Sequence, residues 1–330
     1  SLEGQFTASQ SSVVQLAIQD PGYTQSYYSP GEGRIASIPP QAYISLYSSQ
    51  GIPPGQVNYS FVMAVPTERE IRFYGDTGLL IAKFKMNGKP GGIAVKSNGE
   101  ILVGNLTSHR IEVYHGDGLL LRYFGDVQFP GDLKISEKDN LLAVTDGKAN
   151  QVKIYSLDTE QLIRTLGTAN TSAPARTSNG AMRTSAAMGL SFGGTTGPPQ
   201  GQLRFPSSVA IDSSRKHIIV GDFMNARIQI FDFQGNVIKV IEHLKNVANL
   251  MERPIGLTLD NQGNIYAVDI LYHSIFVFDA NGNFVKTIGK FGTGAGELHG
   301  PVDAVYLKDG RLLVVNSRNK NIEVFVNNNM

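Results

Sequence analysis

Asp222-Phe223-Met224-Asn225-Ala226-Arg227-Ile228-Gln229-Ile230-Phe231 is the stretch whose reading decides the fold. Its second half alternates polar and apolar residues with period two, the spacing of a β-strand. Its first half is a short polar turn led by an aspartate. Upstream, Pro206 opens a short apolar run to Ile211, and a second run ends at Asp222. Downstream, Asn236 to Ile241 follows a Gly-containing turn. Four short apolar runs joined by tight turns describe one four-stranded antiparallel unit.

The unit recurs. Pro90, Pro130, Pro206, Pro254 and Pro301 each open one, and the second runs end at Asn105, Asp146, Asp222, Asp269 and Asn316. The alternating third run returns as Arg110-Ile111-Glu112-Val113-Tyr114 and Asn321-Ile322-Glu323-Val324-Phe325. Units of this length, repeated along a chain, are propeller blades: one alone exposes both faces of its sheet, and a ring buries them. An earlier blade shows in Phe61 to Val65, Glu70 to Tyr74 and Leu79 to Phe84, with its innermost strand expected within Arg34 to Tyr47. The last blade stops at Phe325 with three strands, and Val13 to Ile18 is expected to supply the fourth. Arg122, Arg164, Lys239 and Lys286 share one aligned place in the outer runs. That pattern suits an exposed edge, where charge discourages pairing with another sheet. The predicted fold is therefore an all-β, six-bladed propeller spanning 1–330 as one domain, with an inserted loop at 168–205.

Composition narrows the function. The 330 residues are 41% hydrophobic and 17% charged, enough for a sizeable core. A net charge of +1, from 29 basic and 28 acidic residues, lacks the basic excess of a nucleic-acid binder. The absence of cysteine excludes disulfides, cysteine-held zinc and a thiol nucleophile. No apolar run approaches the roughly 18 residues that span a bilayer. Ser1-Leu2-Glu3-Gly4 reads as a processed start, so the expected location is extracytoplasmic, periplasmic or secreted, with the signal removed.

These units resemble the NHL repeat. The resemblance rests on the opening proline, the glycine before the second strand, the Asp after it and the polar turn into Arg-Ile, fullest at Asp222 to Ile228. Ser108-His109-Arg110-Ile111 carries the family's histidine, and Tyr272-His273-Ser274-Ile275 keeps it without the arginine. The Gly-rich approach Gly292 to Pro301 is a further family feature. The resemblance implies the propeller fold and leaves function open, since such propellers include lyases, lactonases, RNA binders and ligand sensors.

Candidate sites belong on the face shared by the second-to-third-strand loops and the blade-to-blade connections, around the channel mouth. Asp146, Asp222 and Asp269 sit there at strand ends. Their recurrence favours hydrogen bonding within their own loops over a carboxylate ring around a cation. His109 and His273 fall at equivalent positions in opposite blades, too far apart for a shared ion whose ligands must lie within ~2.1 Å. His299, entering the last blade, is placed to approach the channel. No Gly-x-Ser-x-Gly motif is present. The inserted loop contains no acidic residue and carries Arg176, Arg183 and Arg204, with Met182 and Met188 as adaptable apolar contacts. It reads as a lid or docking arm for an anionic partner, the alternative being a solvated excursion. Tyr23, Tyr27, Tyr28, Tyr43 and Tyr47 cluster in a second long segment, read as a wrapping connection.

The expected function is non-enzymatic: a propeller presenting its channel-mouth face, through Arg176, Met182, Arg183, Met188, Arg204 and His299, to a protein partner or small ligand. An accessory subunit of an envelope complex fits this description, with no cofactor required. The alternative is a metal-dependent lyase or lactonase with a divalent ion in the channel. The closure reading makes one prediction: deleting residues 1–20 lowers the melting temperature sharply. A truncated protein melting within about two degrees of the full chain, where about 1 kcal/mol moves a chain of this size by a few degrees, rejects the latch.

Overall fold

The apolar runs become strands, and hydrogen bonding gathers them into four-stranded sheets. A computed structural model describes residues 13–17, 34–37, 59–75, 78, 80–167, 199–242 and 251–326. Blade 1 comprises Arg34–Ser37, Tyr59–Val65, Glu70–Gly75 and Leu80–Lys85. Blade 2 comprises Pro90–Val95, Ile101–Asn105, Arg110–Tyr114 and Leu120–Phe124. Blade 3 comprises Pro130–Ser136, Leu141–Asp146, Gln151–Ser156 and Leu162–Leu166. Blade 4 comprises Pro206–Asp212, His217–Asp222, Arg227–Asp232 and Val237–Ile241. Blade 5 comprises Pro254–Leu259, Ile265–Asp269, Ser274–Phe278 and Phe284–Ile288. Blade 6 comprises Pro301–Tyr306, Arg311–Asn316 and Asn321–Val326, beside which Val13–Ala17 runs antiparallel with Val13 opposite Phe325.

Each first strand is innermost and packs beside the first strands of its neighbours. The ring runs from blade 1 round to blade 6 and back, Pro301–Tyr306 lying beside Arg34–Ser37. The core is divided among the six seams between blades. Val62, Ile71 and Phe73 meet Ile93, Ile101 and Val103 at the first seam. Ile35, Phe61, Met63 and Tyr74 meet Val302, Leu313, Ile322 and Val324 at the seam that closes the circle. Burial on both faces explains why an inner strand such as Pro90–Val95 carries no polar side chain, while outer strands such as Leu162–Leu166 are largely exposed.

The four aligned cations lie on edge strands as expected, and two of them do more than guard the edge. Arg122 donates to Glu160 in the next blade at 2.6 Å while gripping Glu100 in its own, and Lys239 reaches the Asn281 carbonyl across the next seam. The Arg122 guanidinium holds the Glu100 carboxyl down at about 2. These side chains clasp neighbouring blades. Long flexible cations at a blade rim reach the next turn, and the charge is satisfied there.

A second clasp explains the repeated histidine. The residue preceding each third strand is left-handed in all six blades: Arg69, His109, Asn150, Ala226, His273 and Lys320 have φ between 54° and 57°. From this position His109 Nδ1 meets the Gln128 carbonyl at 2.9 Å. Asn150 Oδ1 accepts from Phe205 N–H, and His273 Nδ1 accepts from Gly300 N–H. Each contact ties a loop to the entry of the following blade. Ala226 carries the left-handed strain with no side chain able to make such a bond. Ala226→Gly should therefore raise stability by about 0.5–1 kcal/mol in urea unfolding, because glycine adopts this backbone without a Cβ penalty.

Candidate functional site

The channel mouth is built by a backbone irregularity. In blades 3 to 6 the pairing of first and second strands shifts register just after the opening proline, and blade 2 does the same. Proline lacks the N–H that a regular ladder needs, so a bulge is a natural place for it. The shift fixes the third residue of each unit at one level of the ring: Gly92, Asp132, Ser208, Gly256 and Asp303. Blade 1 places Arg34 there, opposite Ala64 as Ser208 is opposite Gly221.

Arg34 crosses the ring. Its Nη2 donates to the Ser207 carbonyl of blade 4 at 2.7 Å, and Nη1 donates to the Ile255 carbonyl of blade 5 at 3.1 Å. The same Nη1 lies 3.5 Å from Asp303 in blade 6 and 4.0 Å from Asp132 in blade 3. Asp132 also accepts from Lys134 at 2.7 Å and from Val209 N–H at 3.0 Å, and Asp303 accepts from Ile35 N–H at 3.1 Å. Arg34, Asp132 and Asp303 are all buried. Glycine at the intervening positions makes the arrangement fit: a Cβ on Gly92 would lie 2.5 Å from the Asp132 backbone, and one on Gly256 2.8 Å from Asp303 Cα.

Burial pushes the Asp303 carboxyl above the usual aspartate range. Arg34 and Lys134 pull against that rise, while Asp132 adds to it. Ser208 Oγ and Asp303 Oδ1 are buried without a hydrogen-bond partner among protein groups. The donor set does not fit a divalent ion. Arg34, Lys134 and peptide N–H groups already engage both carboxylates, and a guanidinium stands between them. Among the described residues no group of three His, Asp or Glu side chains is gathered as a metal would require.

Around this plug lie the loops of the face. The repeated aspartates are saturated locally, as their recurrence implied. Asp146 accepts from Gln128 and Phe129 N–H, and Lys153 Nζ lies 3.0 Å away. Asp222 accepts from Arg204 N–H and Arg227 Nε. Asp269 accepts from four backbone N–H groups, those of Glu252, Arg253, Leu271 and Tyr272, although burial raises its pKa.

Arg204 and His299 occupy equivalent places at the entries to blades 4 and 6, two residues before the opening proline. Arg204 is exposed, and residues 199–205 belong to blade 4 rather than to a free arm. The reason is local: buried Arg227 donates to the Pro199 and Gln202 carbonyls, and Leu203 is buried in the seam. His299, expected near the channel, packs within an aromatic cluster. Its ring meets His273 and Phe291, with centroids 5.4 and 5.0 Å away. Arg176, Met182, Arg183 and Met188, with the tyrosines at 23, 27, 28, 43 and 47, lie outside the described residues. Sequence reasoning missed Arg34, Asp132, Lys134 and Asp303. Asp132 and Asp303 carried a signal, a charged residue two places after the opening proline; Arg34 and Lys134 did not share it.

Two family descriptions match parts of the chain: the NHL repeat at residues 203–231, and a 6-bladed beta-propeller family, DUF5128, at residues 247–301. The chain is a six-bladed β-propeller with an NHL repeat at residues 203–231. No curated protein sequence matches this propeller. Among solved structures, a streptogramin B lyase superposes with a TM-score of 0.57 at 13% identity, covering 96% of this chain and 98% of that one. A catalytically inactive variant of virginiamycin B lyase from Staphylococcus aureus, with quinupristin, superposes with a TM-score of 0.54 at 11% identity, covering 82% of this chain and 78% of that one. Identity this low carries the propeller fold and no more.

The axial network predicts a large effect. Arg34→Met strands two buried carboxylates and should cost about 3–5 kcal/mol in urea unfolding, with Asp132→Asn and Asp303→Asn added to it recovering part of the loss. The pH dependence has a definite sign. With its folded pKa raised, Asp303 binds its proton more tightly in the folded state. That contribution to stability is complete below the ordinary aspartate pKa and is lost as pH rises through the raised value. Asp303→Asn should flatten the stability-against-pH curve over that interval.

Proposed function

We propose that this propeller is a non-enzymatic binding and scaffolding protein that works outside the cytoplasm and presents its channel-mouth face to a protein partner or ligand. The observation that carries the reading is the Arg34 plug. It occupies the place where a channel site would gather its polar groups, and it turns both axial carboxylates inward to a fixed internal partner. The chemistry displayed to solvent on that face then belongs to the loops: Arg204, Arg318, His299, Met224 and Phe291. Rigid blades with variable loops are the arrangement on which binding surfaces are commonly built. No helix among the described residues is long and apolar enough to cross a membrane. Within this reading the segment 168–198, with Arg176, Met182, Arg183 and Met188, serves as the docking arm.

The competing reading is a lyase or lactonase acting in the channel, and the two lyase structures of similar fold are its support. One experiment separates the two. Cross-linking pull-downs from native envelope material use the intact protein and a copy lacking 170–200, alongside turnover assays on lactone and cyclic depsipeptide substrates. A partner held by the intact protein and lost from the trimmed copy, with no turnover, is the expected result. Metal-dependent turnover abolished by substitutions at the axis would overturn the binding reading.

A further inference from the structure

The corner where blade 5 meets blade 6 carries a short ribbon of its own, Lys290–Phe291 beside Glu297–Leu298. Phe291 is 62% exposed there, yet the loop carrying it is tightly held. Lys290 and Phe291 pair in parallel with Glu297 and Leu298. Gly292 N–H donates to the Leu298 carbonyl, Gly294 N–H to Glu297 Oε2 at 3.0 Å, and Gly296 N–H to Glu323 Oε1 at 2.6 Å. Asn319 Nδ2 donates to the Gly292 carbonyl at 2.9 Å. An exposed phenyl ring on a fixed loop loses little conformational freedom when something packs on it.

Two imidazoles complete the corner. Phe291 lies 5.0 Å from both His273 and His299 between ring centroids, and the imidazole planes stand at 84° to each other. His273 Nδ1 accepts the Gly300 N–H, so the neutral ring carries its proton on Nε2, a free donor. Burial, His299 and Arg318 all lower the His273 pKa and keep the ring neutral.

Arg318 is exposed, with its Nη1 3.5 Å from His299 Nε2. It has no carboxylate partner among the described residues. The nearest acidic side chain of this loop, Glu297, is engaged by Gly294 N–H and Lys290. The residue beneath Arg318 is Gly300, where blades 3 and 4 have Phe129 and Phe205. A Cβ at Gly300 would lie 3.0 Å from Arg318 Cγ, so glycine leaves the clearance that the arginine stem fills.

An aromatic wall, an imidazole N–H and an uncompensated guanidinium have one complement. We propose that Phe291, His273, His299 and Arg318 form a binding site for an aromatic anion, a planar ring bearing a carboxylate or phosphate group. The ring would pack on Phe291 and the imidazoles, and the anionic group would meet Arg318 and the His273 N–H. The proposal names a ligand class for the face already read as a binding surface, and it rests on that reading.

The test is an NMR titration of the histidine ring signals in the full chain, using benzoate, phenyl phosphate and neutral benzamide. Saturable shifts of His273 and His299 with at least one anion are expected, with benzamide binding about tenfold more weakly or worse. Phe291→Ala and Arg318→Gln, both at exposed positions, should each weaken the anion about tenfold, while Leu121→Ala on the far rim leaves it unchanged. The tighter of the two anions names the class. No saturable shift with either anion, equal binding of benzamide, or full affinity in Arg318→Gln would overturn the site. If only this site is wrong, partner capture persists in both variants; if the intact protein captures nothing, the wider binding reading fails.

Discussion

The guanidinium of Arg34 touches four of the other five blades, and the geometry of the ring is organised around that contact. It donates to main-chain carbonyls of blades 4 and 5 and lies between carboxylates of blades 3 and 6. Each of these groups is buried, so each loses its hydration on folding and regains it only as a fixed contact with another. The level of the two carboxylates is set by the bulge after the opening proline, and the clearance by Gly92 and Gly256. A sheet with a regular first-to-second-strand ladder would set these residues elsewhere. An apolar plug of equal volume would hold a ring as well by burial alone. The charged one also distinguishes blade from blade, because only blades 3 and 6 offer a carboxylate at that level.

Outside the axis, cohesion comes from seams. Six apolar layers supply the non-directional part. Direction comes from two clasps that recur with substitution: a cation on the outer strand reaching the next turn, and a left-handed residue reaching the next blade entry. The second shows why histidine and asparagine recur at that slot. They tolerate the turn and present a side-chain atom that bonds a neighbouring main chain. The histidines there are therefore parts of the frame. His273 is the exception, because its ring, once tied to Gly300, also walls the aromatic corner with His299 and Phe291.

That double duty bears on function. The face around the mouth has Arg34 bonded across its centre and a held loop at the blade 5–6 corner. The likeness to lyase propellers describes the frame, and frames of this kind carry unrelated chemistry in their loops.

Much of the fold was legible in the residue order. Strand period, proline and glycine punctuation and the repeat spacing of Pro90, Pro130, Pro206, Pro254 and Pro301 determined four-stranded blades and their number, because these are local properties of the backbone. The saturated state of Asp146, Asp222 and Asp269 was legible too, since a residue repeated in three blades, with Asn105 and Asn316 in two others, answers a need of the blade itself. The axial network was not. Arg34 is separated by 98 positions from Asp132 and by 269 from Asp303, and nothing local in the chain marks them as partners. Nor did the order of residues say that His299 would pack against His273 and Phe291, because that contact depends on side-chain direction. Only closing the ring brought these groups within 4 Å, and only the clearance left by Gly300 decided where Arg318 would lie.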